Sequence, residues 1–134
     1  MHVMRCLTAI CLFALMTAPM AMGSQAPISA ETEECLECHA TIHPGIVAGW
    51  RSSRHAAMTP GAAMAVKGLA NKLSAKDVPE NLKATTVGCA ECHTLRGDAH
   101  ADTFEHNGYD IHVVVSPDDC AACHKTEREQ FKHN

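Results

Sequence analysis

A chain of 134 residues suffices for one small domain, and with aromatic residues at only 4% it cannot build a large apolar core from its own side chains. Its 15 acidic residues against 11 basic ones, a formal net charge of −4, disfavour nucleic acid as a partner. Eight cysteines and 10 histidines are what remain to be explained.

The chain begins with a short, weakly basic stretch ending at Arg5, followed by an apolar run over residues 6–16. That run has the length of a signal-peptide core and falls well short of the roughly 20 residues that span a bilayer, and Pro19 closes it. Ala21 and Gly23 suit cleavage after residue 23, and Ser24 and Ala26 offer a second option after residue 26. The expectation is a signal peptide over 1–23, one mature domain over 24–134, export to the periplasm, and no membrane span after cleavage. Cys6 and Cys11 leave with the signal.

The six mature cysteines fall into three copies of one pattern: CLECH at 35–39, CAECH at 89–93 and CAACH at 120–124. C-x-x-C-H is the attachment signature of haem c. On a helical turn, positions i, i+3 and i+4 share a face, so two thiols reach the haem vinyl groups while the histidine rises to the iron. Cys35, Cys38 and His39, then Cys89, Cys92 and His93, then Cys120, Cys123 and His124 are therefore expected to hold three covalent haems. Structural zinc would pair two C-x-x-C knuckles, leave the third unpaired and ignore the histidine after every copy. A thiol redox site needs one C-x-x-C in a βαβ setting, for which there are no strand-rich runs. The expected fold is mainly α with extensive loops and little β, a multihaem cytochrome c whose core is packed by its haems. Without them the chain should be largely unfolded.

Between the motifs, Pro44 suits a helix start, and Ile46, Val47, Trp50 and Arg54 recur at helical spacing, so this helix should carry His55 back toward a haem. Over 62–73, Val66, Leu69, Ala70 and Leu73 fit an Ala-rich amphipathic helix. Ser74 and Asp77 read as a capping box for a further short turn ending near Pro79. After the second motif, His106 and His112 flank an Asn107-Gly108-Tyr109-Asp110 turn, and an apolar run over 111–115 stops before Pro117. The carboxylates at Glu31, Glu33, Glu34, Asp118 and Asp119 read as solvated flanks.

Each motif histidine fills one axial position, and a second histidine opposite it makes an electron-transfer haem, whereas an open position permits ligand chemistry. Six histidines of the mature chain lie outside the motifs. His55, His106 and His112 are the expected second ligands. His43 is too near His39 to reach the far face of the same haem, His100 sits in a polar loop, and His133 is left open.

The stretch CLECHATIHPGIVAGWRSSRHA, then VGCAECHTLRG and HNGYDIHVVVSPDDCAACHKTEREQF, resembles successive haem segments of the hydroxylamine oxidoreductase-like multihaem cytochromes. The resemblance runs from about Cys35 to the end, makes Trp50 and His55 counterparts of a tryptophan and a histidine on the helix after the family's first motif, and implies that His106 or His112 is a distal ligand. It implies a periplasmic enzyme that oxidises hydroxylamine or hydrazine or runs toward nitrite reduction. The family carries eight haems and its reactive haem comes later, so a chain with three motifs is read either as a three-haem electron carrier or as the amino-terminal part of such an enzyme. Redox proteins, among them other multihaem cytochromes or a quinol-linked donor, are the expected partners.

Overall fold

The computed structural model describes residues 25–134; the expected signal segment 1–23 lies outside them. It is mostly helical, with long connecting loops and one small hairpin. The longest helix, α1 (Ala30–Ile42), carries the first motif, and Ser29 caps it by accepting the amide N–H of Thr32. A break at His43 leads into α2 (Pro44–Arg51), which starts on Pro44 as the sequence indicates. α2 stops two residues before Ser53, which caps the short α3 (Arg54–Ala57), so His55 sits on a helix of its own.

The helix expected over 62–73 does not form as one piece. α4 (Pro60–Met64) ends early, and a single 3-10 turn, Gly68–Ala70, follows. Gly68 stands at φ +66°, a left-handed conformation that interrupts the helical course its neighbours' spacing suggests. Ser74 and Asp77 cap nothing locally; the next helix is α5 (Glu80–Lys83), beyond Pro79. α6 (Cys89–His93) is the second motif itself, and a 3-10 turn, Gly97–Ala99, follows.

Strands β1 (Phe104–His106) and β2 (Tyr109–Ile111) form an antiparallel hairpin with His106 opposite Tyr109. Asn107 (φ +53°) and Gly108 (φ +84°) supply the two left-handed residues of a tight turn whose twist matches the strands. α7 (Pro117–Cys120) and α8 (Lys125–Lys132) flank the third motif.

Buried apolar side chains are few among the described residues: Leu36, Val47, Val78, Leu82 and Ala90. Much of the remaining order comes from long-range hydrogen bonds. The Thr86 amide donates to the Pro27 carbonyl (2.7 Å), the Trp50 indole to the Val87 carbonyl (2.9 Å), and the amides of Ser74 and Ala75 to the Cys123 carbonyl (3.2 and 3.1 Å). Each of these ties a loop to a segment that leads into or out of a motif. No helix among the described residues is long and apolar enough to cross a membrane.

Candidate functional site

The first two motifs are keyed to each other. Thr32, fully buried on α1, accepts the Ala90 amide N–H (3.1 Å) and donates to the Glu91 carboxylate (2.8 Å), while Glu91 also accepts the Gly88 amide (2.8 Å). A side chain at residue 88 would not fit, because its Cβ would come within 2.5 Å of the Thr32 methyl. The variable residues of CAECH thus orient the second motif against the helix of the first. The third motif closes on the helical bond from the His124 amide to the Cys120 carbonyl (2.8 Å), so its cysteines and histidine also share one turn.

The structure brings each of the expected second ligands beside a motif histidine. His106 lies with its ring centre 6.1 Å from that of His39, His55 at 6.1 Å from His124, and His112 at 6.1 Å from His93. Two imidazoles bound to one metal through bonds of about 2 Å have ring centres roughly 6 Å apart. For His39–His106 and His124–His55 the spacing therefore fits an iron held between them. Burial, and next the proximity of His124, lower the pKa of His55 and keep it in the neutral form that ligates. A cavity of about 160 Å³ opens beside His55 and His124, walled by Met58, Val66 and Leu73, and a second lies on the Leu82, Leu95 and Val115 side. These apolar walls suit the face of a macrocycle.

The third pair has a different geometry. The His93 Nδ1–H donates to the His112 carbonyl (2.8 Å), and the His112 amide donates to the His93 carbonyl (2.9 Å). His112 is thus tied to the edge of the His93 ring that faces away from Nε2, the atom a haem iron would take. Through this pair of bonds the His112 carbonyl fixes the tautomer and orientation of the His93 ring.

The His112 ring is stacked parallel on His100, with centres 3.7 Å apart, and both approach Asp119. His112 is wholly buried, and neither ring nitrogen has a hydrogen-bond partner. Asp119 is no solvated flank: it is 5% exposed, accepts from His100 Nε2 (3.0 Å) and from the amide and hydroxyl of Ser116 (2.6 and 2.8 Å), and lies 3.4 Å from the Arg96 guanidinium. Burial opposes its ionisation, but the hydrogen bonds from His100 and Ser116 outweigh that and bring its pKa down to about 2. Sequence reading missed this corner. Its one signal was the Ser116-x-x-Asp119 capping pattern before the third motif. His43 has turned onto its own helix end, with Nδ1 3.0 Å from Nδ1 of His39. Glu34, also read as solvated, accepts the Tyr109 hydroxyl (2.8 Å) and ties the hairpin to α1.

None of the six described cysteines is paired in a disulfide. Burial, with a smaller contribution from Cys89, raises the Cys35 pKa, and burial together with Cys120 pushes Cys92 up to about 11. Burial likewise raises Cys89 and Cys123. At these four positions burial makes a thiolate costly, whereas a neutral thioether carries no such cost. Thr32 joins the first motif's helix to the second motif, and Cys92 lines one cavity with Cys120 and Cys123, so successive motifs are neighbours in space.

No family model matches the chain, and no curated protein matches it. One solved structure does. The chain is similar to a protein named "Hypothetical multiheme protein", with 43% sequence identity over 81% of this chain and a TM-score of 0.76. It covers 21% of that longer chain, so it spans about a fifth of the solved protein's length. The mainly helical, loop-rich fold is thereby shared with a protein whose name states that it carries several haems.

Proposed function

We propose that this chain is an exported multihaem c-type cytochrome that transfers electrons through three covalently bound haems. The observation that carries the reading is the placement of His106 opposite His39 and of His55 opposite His124, at the spacing of two axial imidazoles, each pair including the histidine of a C-x-x-C-H turn. The similarity to a solved multihaem protein supports it. Bound haem would supply a reversible iron redox couple. The chain's own residues do the rest. Cys35 and Cys38, Cys89 and Cys92, and Cys120 and Cys123 anchor the three groups; His39, His93 and His124 hold the iron from one side; His106 and His55 hold it from the other in the first and third. The closeness of successive motifs sets up a path along which electrons can move between neighbouring groups.

The test is expression of the full chain, signal included, in a host competent for haem attachment, followed by intact mass and absorption spectra of both redox states. Three haem masses are expected, with two haems low-spin and six-coordinate; His55→Met and His106→Met should each change the spectrum of one haem. A chain without covalent haem would overturn the reading. The spectrum also reports on the haem of the second motif: carbon monoxide binding at one of the three haems identifies an open axial position.

A second reading is favoured by the fact that the chain spans 21% of the solved multihaem protein. In it, the three motifs are the amino-terminal part of a hydroxylamine oxidoreductase-like enzyme of hydroxylamine or hydrazine oxidation, or of nitrite reduction, whose catalytic haem lies outside this sequence. The isolated chain would then accept and donate electrons but leave hydroxylamine unreacted in a steady-state assay.

A further inference from the structure

His43 belongs to no motif, yet its ring is set against one. Its Nδ1 lies 3.0 Å from Nδ1 of His39, and the two ring centres are 5.0 Å apart with planes tilted by 27°. Imidazoles joined nitrogen to nitrogen by a hydrogen bond have centres roughly 5 Å apart, so these rings meet at their edges and not across their faces. With Nε2 of His39 given to a haem iron, that ring keeps its proton on Nδ1, and the N–H calls for an acceptor. We infer, on the haem reading of the first motif, that His43 is a positioning residue for the first haem: its Nδ1 accepts the Nδ1–H of His39, fixes the plane of that ligand and strengthens it as a donor to iron.

The local sequence accounts for the placement. Pro44 disfavours the helical conformation for the residue before it, and His43 stands at φ −129° and ψ 57°, just beyond the helix that ends at Ile42. Its amide still donates to the His39 carbonyl (2.8 Å), and its own carbonyl accepts the amides of Ile46 and Val47 (3.1 and 3.2 Å). Val47 is buried. The backbone of His43 is thus held from both sides, between the helix of the first motif and the start of α2, although its side chain is exposed. Four residues apart, His39 and His43 share one face at the end of α1.

The second motif supplies the contrast. There the Nδ1–H of His93 donates to the His112 carbonyl (2.8 Å), a peptide group that no substitution removes. In the first motif the acceptor is a side chain. An acceptor on Nδ1–H makes the ligating ring more basic, and a stronger donor favours the oxidised iron, so His43 holds the reduction potential of the first haem down.

The experiment uses the haem-loaded full chain and compares the parent with His43→Leu and His43→Asn by spectroelectrochemical titration and by electron paramagnetic resonance of the oxidised form. Leucine removes the acceptor, whereas asparagine keeps an amide oxygen close to where Nδ1 stands. Because the His43 side chain is exposed, neither change disturbs the buried residues. One haem of the three is expected to move to higher potential in His43→Leu, with altered g values; it should be the haem whose spectrum His106→Met also changes, and His43→Asn should recover most of the shift. Unchanged potentials in His43→Leu, an equal shift in both variants, or a shift at a different haem each overturns the inference. Haem attachment is read separately from intact mass. A chain without haem at Cys35 and Cys38 overturns the haem reading as well, whereas a loaded chain indifferent to residue 43 overturns this inference alone.

Discussion

Thr32 shows how much of this protein depends on single polar atoms. With no exposed surface, its hydroxyl is shared between the Ala90 amide and the Glu91 carboxylate. Thr32→Val keeps the shape but strands both partners, which should cost about 1–3 kcal/mol in a chemical denaturation curve. Gly88→Ala meets the same side chain from the other direction, where a Cβ would have 2.5 Å of room, and should destabilise by about 1–3 kcal/mol through overpacking. Neither residue stands out in the sequence, since a threonine in the first turn of a helix and a glycine before a cysteine are both ordinary. Asp119 carries the same lesson. Sequence alone makes it a solvated flank, because its burial depends on His100 and Arg96 arriving from other loops. The motif residues were legible because their chemistry is local: spacing along one helical turn defines them without reference to the rest of the chain.

Among the elements, the hairpin is the one on which a candidate ligand depends most directly. It holds His106 at the end of β1, immediately before the two left-handed turn residues, and Tyr109 anchors it to α1 through Glu34. Gly108→Val places a β-branched residue at φ +84° and should cost about 1–2 kcal/mol. The expected signature is a change in the electron paramagnetic resonance spectrum of one haem, that of His39, with the other two unaltered. The turn was readable from Asn107 and Gly108, while the pairing of such short strands was not. Over 62–73 local pattern misled: an Ala-rich stretch with apolar residues at helical intervals gives way at Gly68, and the Arg54 guanidinium then takes the Ala70 carbonyl (3.1 Å). Ser74 is a capping residue after all, but for a helix far along the chain: its hydroxyl accepts the Thr126 amide in the first turn of α8 (2.9 Å). Periodicity cannot anticipate a cap supplied from about fifty residues away.

For the whole molecule, the short roll of buried apolar residues implies that the polypeptide by itself lacks the burial to offset its conformational entropy. Chain produced without haem attachment should therefore show little helical circular dichroism and no cooperative thermal transition, whereas the haem-loaded chain should show both. The mainly α, loop-rich architecture followed from composition and motif count, but the way the loops return to the motifs did not, because hydrogen bonds such as Thr86 to Pro27 leave no periodic trace.

The order of the ring pairs along the chain has a topological consequence. His39 meets His106 and His55 meets His124, so each pair has one member inside the loop that the other closes. Nested bridges would leave both ends in the charge of the outer one, whereas interleaved bridges divide the task, one end to each, and share the stretch from His55 to His106. Iron held at both places would fasten that shared stretch twice over. Loss of the His39–His106 bridge alone would then free the amino-terminal end as far as His55, and loss of the His55–His124 bridge alone would free the carboxy-terminal end back to His106.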